Sequence, residues 1–252
     1  MLDLLHPSAV KPARSLSCEL ASTPEELMEA QRIRYQVFGI EMGARLPSAE
    51  TGLDIDRFDP FCDHLLVRDQ VNSKVVGTYR ILTPEQACKA GGYYSETEFD
   101  MTGLQHLRGR MAEVGRSCVD VHYRDGATIA QLWGGLAEYI TKRNHEYLIG
   151  CASISMSDGG HYAASVFNKV YKLHASPEEL RVTPHCRLPI ETLDQNLDVI
   201  IPPLIKGYLR LGAYIAGEPA WDPEFNCADL FILLPVSRIS PRATRHFMRH
   251  AS

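Results

Sequence analysis

Apolar residues recur along this chain at two spacings: every second position in short runs, and every third or fourth in longer ones. Ser17 to Ala21 reads as a short opening strand. Thr23-Pro24-Glu25-Glu26 then has the signature of a helix start, with threonine as cap, proline at the first helical position and glutamate at the third. Leu27, Ala30, Ile33 and Val37 continue it at helical spacing. Gly39 to Asp63 mixes signals and carries several acids, which predicts short helix and loop. His64 to Asp69 and Lys74 to Leu82 read as two strands joined by a hairpin at Gln70-Val71-Asn72-Ser73. Pro84 to Arg110 is polar and contains glycine, as an insertion between strands would, with helix in parts.

Met111 to Val119 is the next strand, and Gly126 to Arg143 is the clearest helix. Its Ile129, Leu132, Trp133, Leu136, Ala137 and Ile140 keep one face apolar. Tyr147 to Ser153 follows as a buried strand, Gly160 to Leu173 as a helix, and Arg181 to Leu188 as a further strand. Pro202-Pro203 opens a helix that Gly212 closes, and Asp229 to Val236 is a final apolar strand. Strands in succession around a central strand–helix–strand unit indicate an α+β or mixed α/β sheet. The expected organisation is a flexible segment over 1–16, one domain over 17–239, and a basic tail over 240–252 that includes Arg242, Arg245 and Arg249.

Composition narrows the classes. Of 252 residues, 45% are hydrophobic and 23% charged, the balance of a soluble globular protein. A net charge of −5 gives no reason to expect nucleic acid as a partner. Seven cysteines without a C-x-x-C pair exclude a disulfide framework and the usual zinc patterns, and read as reduced thiols in a cytoplasmic protein. The opening MLDLLHPSAVKPARSL lacks the long apolar core of an export signal. No window approaches the roughly 20 apolar residues that span a bilayer. Any membrane contact is therefore expected to be peripheral, at the inner face.

The candidate chemistry centres on MAEVGRSCVDVHYRDGATIAQLWGGLAEY, residues 111–139. A strand, a turn at Arg124-Asp125-Gly126 and a helix start would aim backbone N–H groups at an anionic group such as a phosphate. Glu113 and Arg116 lie on the strand that would line the adjoining cleft. Three residues apart, they fall on opposite faces of a regular strand, and a bulge at Gly115 would bring them together. Asp54, Asp56 and Asp59 form an acidic loop that can be a solvated surface or a cation pocket.

His64 and Asp69 spell the H-x4-D pattern of glycerolipid acyltransferases. An odd offset within a strand sends the two side chains to opposite faces, so they are not read as a dyad. Cys118 and Cys151 sit in apolar strands without a neighbouring histidine and are read as packing residues.

Several longer segments carry a resemblance. The element order resembles the GNAT acyltransferase fold, whose central strand and following helix bind the phosphates and pantetheine of an acyl donor. Arg34-Tyr35-Gln36-Val37-Phe38, Asp56-Arg57-Phe58-Asp59 and Glu113-Val114-Gly115-Arg116 resemble the set seen in acyl-homoserine-lactone synthases. GCASISMSD, PPLIKGYLRLGA and FNCADLFILLPV resemble the L-ornithine Nα-acyltransferases that begin ornithine-lipid synthesis.

The resemblance implies a mostly antiparallel sheet, splayed at the donor cleft, with helices on both faces. It also implies transfer of a 3-hydroxyacyl chain from acyl carrier protein to the α-amine of L-ornithine, giving lyso-ornithine lipid. The donor carries 4'-phosphopantetheine; no permanently bound cofactor and no metal are required. In the GNAT fold the phosphate loop reads Arg or Gln, two residues, Gly, one residue, then Gly or Ala. Here Arg124-Asp125-Gly126-Ala127-Thr128 is shorter in glycine, as a carrier-tethered arm with a single phosphodiester would allow.

On this reading Glu113 and Arg116 are the catalytic pair, with Glu113 as candidate base. Arg124, Gly126 and Thr128 meet the donor arm, with Thr128 as cap or phosphate ligand. Arg34, Asp56 and Asp59 meet the acceptor, with Arg34 either holding its carboxylate or pinning an aspartate. Backbone N–H groups of the splayed strands would stabilise the oxyanion. Lys206 and Arg210 share a helix face and meet either carrier protein or solvent. Two other readings fit the same residues: transfer to another amino acid or amine, and a non-catalytic carrier- or lipid-binding protein.

Overall fold

The computed structural model describes residues 15–240 and residue 242. The expectations for residues 1–14, and for Arg245 and Arg249 in the tail, lie outside them. Strand β1 (Leu16–Leu20) leads into helix α1 (Pro24–Arg34), where the expected capping box forms. Glu26 donates its N–H to Thr23 Oγ1, and the Glu26 carboxylate accepts the N–H of Thr23, each at 3.2 Å. The helical pattern that continues to Val37 is not α-helical to its end: from Tyr35 to Glu41 the backbone widens into a π-helix.

The hairpin is β2 (Asp63–Asp69) and β3 (Lys74–Leu82), followed by α2 (Pro84–Lys89), a two-residue β4 (Phe99–Asp100) and β5 (Met111–Val119). Helix α3 (Ala127–Arg143) crosses to β6 (Tyr147–Ser155), and α4 (His161–His174) follows. The strand expected over Arg181 to Leu188 shrinks to β7 (Thr183–Pro184), which pairs with β4 in a separate ribbon. Pro184 and Pro189 lack the N–H groups that a longer ladder needs. Helix α5 (Pro203–Arg210), the short strands β8 (Tyr214–Ile215) and β9 (Ala220–Asp222), and β10 (Cys227–Pro235) complete the described order.

Eight strands form one sheet in the order β1-β2-β3-β5-β6-β10-β8, with β9 also on β10. Every pairing is antiparallel except that of β5 with β6. Alternation sorts the side chains. Val67, Ile81, Val114, Leu148 and Ile232 pack on one face with Leu132, Leu136, Val166, Phe167 and Ile205 of α3, α4 and α5. Leu82, Met111, Ile149, Phe231 and Leu233 pack on the other with Ala87 of α2, beside α1, whose Ala30 and Ile33 cover Leu66 and Val75.

The feature that positions a site is the β5–β6 pairing. Both strands are nine residues long, yet only Met111–Tyr147, Ala112–Leu148 and Glu113–Ile149 pair before they part. Gly150 stands at the vertex. A Cβ there would lie 2.2 Å from the carbonyl oxygen of Val114. The contact is with backbone, which cannot swing aside as a side chain can. Gly150→Ala should therefore cost about 1–3 kcal/mol of strain, seen as a Tm drop of roughly 2–10 °C by calorimetry. An unchanged Tm would mean that the vertex tolerates a side chain.

Candidate active site

The parting strands enclose a cavity of about 480 Å³ between Val114–Val119 of β5 and Leu148–Ser153 of β6. Its two sides differ. Tyr79, Val114, Leu148, Leu204, Tyr208 and Ile232 line it with residues of, or packed against, the core under α3, α4 and α5. Glu113, Tyr94, Arg116, Asp222 and Asp229 line it as well. Glu113 shares its face of β5 with Met111, and Asp229 its face of β10 with Phe231 and Leu233, both in the opposite core. The opening thus pierces the sheet, apolar on one side and charged on the other.

Arg116 reaches the charged side through a bulge. Thr78 pairs with Cys118 and Arg80 with Gly115, so Arg116 and Ser117 together oppose Tyr79 alone. Arg116 adopts φ +50°, in the left-handed region that non-glycine residues rarely occupy. The irregularity expected near Gly115 is present and brings Arg116 to the face of Glu113, but the two do not pair. The Arg116 guanidinium sits 4.8 Å from the ring centres of Tyr94 and of Phe225. Its ionic contacts go to Asp54 and Asp56, at 3.4 and 3.3 Å, and its Nε forms no hydrogen bond.

Glu113 is buried and accepts the backbone N–H groups of Tyr94 and Ser95 at 2.6 and 2.7 Å and the Ser95 hydroxyl at 2.5 Å. Burial pushes its carboxyl above the ordinary range, against the pull of these donors. Glu113 therefore fixes the turn that presents Tyr94 to Arg116.

Of the two roles expected for Arg34, holding a substrate carboxylate or pinning an aspartate, the geometry shows the second. Arg34 is fully buried and binds Asp54 at 2.8 Å and Asp59 at 2.7 Å. Arg80, in the middle of β3, binds Asp56 at 2.7 Å and Asp59 at 2.9 Å. Three aspartates are thus matched by three arginines, Arg34, Arg80 and Arg116, and Asp54 and Asp59 are sealed from solvent. Burial alone would raise Asp56 and Asp59. The facing guanidiniums overcome it and hold both below the usual carboxylate range. The loop neutralises arginines that would otherwise be buried alone, and of its three carboxylates only Asp56 is partly exposed.

The turn expected to meet the donor precedes α3. Gly126 caps α3 at φ +95°, a conformation that favours glycine. Arg124 borders the cavity but is held by both Glu41 carboxylate oxygens and by the Val119 carbonyl. Thr128 lies inside the helix rather than at its cap. It is fully buried, its Oγ1 has no hydrogen-bond partner, and its methyl packs where a Cβ on Gly77 would meet it at 2.6 Å. His64 Nε2 lies 3.2 Å from the Asp59 carbonyl, while Asp69 accepts the Tyr123 hydroxyl, so the H-x4-D pattern is no dyad. Burial pushes Cys118 up to about 12 and raises Cys151 well above its ordinary value; both remain thiols.

Two groups escaped the sequence reading. Arg80 and Asp229 each interrupt an apolar strand, and that interruption was the available signal. Asp229 is 2% exposed and lacks an ion pair among the described residues; its Oδ1 accepts the Cys227 thiol at 3.6 Å. Burial pushes it up to about 6, and Asp222 adds to the rise. Glu98 nearby is pushed up to about 7 by burial and by Asp229 and Asp222. Asp222, Cys227 and Asp229 bring donor atoms within 4.8 Å of one another, the group with metal-ligand spacing among the described residues. Asp222 already accepts the N–H groups of Glu224 and Phe225, and the Cys227 thiol donates to Asp229, so these atoms are engaged with the chain and with one another.

A pH effect follows for the arginine–aspartate cluster. Because the native pKa values of Asp56 and Asp59 lie below their unfolded values, their stabilisation is full above pH ~4 and lost as pH falls through the native values. Asp59→Asn, which leaves Arg34 and Arg80 short of counter-charge, should cost about 3–5 kcal/mol at pH 7. The gap to wild type should narrow below pH 4, as measured by denaturant unfolding across pH.

A model of the acetyltransferase (GNAT) domain matches residues 33–134. Two solved structures share the fold at 14% identity: an N-acyl amino acid synthase from uncultured soil microbes (TM-score 0.57, 92% of this chain and 99% of that one) and a CoA-dependent acyl-homoserine lactone synthase (0.55, 94% and 90%). Among curated proteins, the L-ornithine N(alpha)-acyltransferase of Brucella abortus (strain 2308) is 37% identical over 94% of this chain and 90% of its own length. That of Rhodobacter capsulatus is 34% identical over 93% and 95%. With the splayed sheet, its cavity and these relatives in agreement along nearly the whole length, the chain is a GNAT-fold acyltransferase and belongs to the L-ornithine Nα-acyltransferase family.

Proposed function

We propose that this enzyme moves a 3-hydroxyacyl chain from acyl carrier protein to the α-amine of L-ornithine, giving lyso-ornithine lipid. The observation that carries the reading is the two-sided opening in the sheet. An acyl chain favours the apolar side, where its methylenes leave water. An amino acid favours the other, where Arg116 can meet its carboxylate and the buried acids its ammonium groups. The thioester carbonyl then lies between β5 and β6. Backbone N–H groups beyond the last pair, Glu113–Ile149, are available to the developing oxyanion. The relatives' name supplies the acceptor.

For the donor, the turn offers Gly126 and the start of α3, with Arg124 at the rim. A phosphate there competes with Glu41 for Arg124, which suits one phosphodiester better than the several phosphates of coenzyme A. Pro203 and Leu204 of α5 line the cavity, and Lys206 and Arg210 on the same helix are exposed. They provide positive charge for an acidic carrier protein. Among the described residues no helix is long and apolar enough to cross a membrane; release of a lipid product is the reason to expect peripheral contact of the enzyme with a bilayer.

The decisive experiment combines purified protein, 3-hydroxyacyl carrier protein and L-ornithine, with thiol release followed and products identified by mass spectrometry. Mono-acylated ornithine is expected. Product from the coenzyme A thioester alone would overturn the carrier assignment, and product with a different amino acid alone would overturn the acceptor. Reversing Lys206 and Arg210 to glutamate should raise KM for the acyl carrier about tenfold and steepen its loss with salt, with kcat nearly unchanged. A KM equal to wild type would remove α5 from the docking face.

A further inference from the structure

Resting on the acyl-transfer reading above, we propose that Asp229, and not Glu113, takes the proton from the acceptor's α-ammonium. A base at this site must reach the cavity, be ionised near neutral pH, and accept a proton without dismantling the structure around it. Glu113 meets the first condition and fails the third. Two backbone N–H groups and a hydroxyl already fill three of its roughly four acceptor sites. The remaining site is on Oε2, and a proton there weakens the acceptor of the Tyr94 N–H, the contact that holds Tyr94 against Arg116.

Asp229 lines the same cavity, on the strand next to β6, with its side chain on the charged face. Its register partner on β6 is Ser153, which lines the opening with it. The groups that face Asp229 come from several elements: Asp222 on β9, Cys227 on its own strand, Ser153 and Cys151 on β6, Arg116 on β5, and Tyr94 and Glu98 from the segment between α2 and β5. Of these only Arg116 is cationic, and its ion pairs go to Asp54 and Asp56. Asp54, Asp56 and Asp59 are locked in ion pairs with arginine; Asp229 is a buried carboxylate without one among the described residues. An arriving ammonium supplies the ion-pair partner that Asp229 lacks among the described residues, and its proton can pass to Asp229 because Arg116 acts on that carboxylate only from a distance.

The α-ammonium gives one proton to the Asp229 carboxylate and becomes a neutral amine. Its lone pair forms the C–N bond at the thioester carbon while the carbonyl π electrons move to oxygen. When the oxyanion collapses the C–S bond breaks, the thiolate leaves, and the second nitrogen proton neutralises it. The proton on Asp229 returns to solvent after the amide departs. One ammonium and one thioester become one amide, one thiol and one proton.

The test is kcat/KM for L-ornithine as a function of pH, with acyl carrier protein saturating, for wild type, Asp229→Asn, Asp229→Glu and Glu113→Gln. Wild type should lose activity below a limb near pH 6, matching the value to which burial pushes Asp229. Asp229→Asn, which preserves shape, should fall at least 100-fold at pH 7 and lose that limb, its rate then rising with the fraction of free amine toward pH 9. Asp229→Glu should recover part of the rate with a displaced limb. Glu113→Gln should melt at lower temperature and keep the limb.

A limb that survives in Asp229→Asn and vanishes in Glu113→Gln overturns the assignment in favour of Glu113. So does a wild type without any limb near pH 6. If wild type releases no thiol with L-ornithine, the acceptor reading has failed rather than Asp229. The same four profiles, run with whichever amine does release thiol, then decide the assignment by the same limb.

Discussion

The site depends on a sheet that is allowed to come apart. Parallel neighbours normally stay paired along their length, because an unpaired N–H or C=O in the interior is costly. Here β5 and β6 pair through Glu113 and Ile149 and then diverge. Each remains bonded on its outer side, β5 to β3 and β6 to β10, so the divergence breaks one ladder and leaves the rest intact. The inner backbone groups stay polar and face a cavity rather than packed side chains. Gly150 makes the vertex tight, and the bulge at Arg116 and Ser117 turns β5 away from it.

Arg116 is where the divergence acquires chemistry. A guanidinium this deep needs counter-charge and a fixed pose, and the fold supplies both through intermediaries. Glu113 holds the turn that sets the Tyr94 ring, and Asp222 holds the turn that sets the Phe225 ring. The two rings bracket the guanidinium at equal distance. Asp54 and Asp56 provide charge at distances too long for tight pairing, while Arg34 and Arg80 take their short contacts. Arg116 is thereby positioned without being saturated, as a group must be if it is to bind a substrate carboxylate.

Most strands and helices were legible because each has a periodic signal of its own. Met111–Val119 and Lys74–Leu82 match their apolar runs residue for residue, and Thr23 with Glu26 marked α1 correctly. Strands of two or three residues, such as Tyr214–Ile215 and Ala220–Asp222, are too short to show a period and exist only because β10 offers them an edge. The π-helical stretch Tyr35–Glu41 is invisible for a different reason: its pattern differs little from an ordinary helix over one turn.

At the site, residue types were legible and partnerships were not. Arg34 meets Asp59 across 25 positions and Arg116 meets Asp56 across 60, distances over which spacing carries no information. Asp229 was hidden inside a strand buried on both faces, where alternation cannot separate a core position from a cavity wall.

The carboxylates around this cavity fall into two families. Asp56 and Asp59, facing arginines, are pulled down in pKa; Asp229 and Glu98, buried and facing other acids, are pushed up. An enzyme working near neutral pH gains from such a division, since one set stays charged as scaffold while the other can exchange protons. The same buried charge that makes Asp229 reactive opposes folding once it ionises. Its native pKa exceeds the unfolded value, so the protein gives up stability as pH rises between the two. Retaining an acid at that price is unexpected in a corner with a purely structural role. There an asparagine would hydrogen-bond equally well and carry no charge.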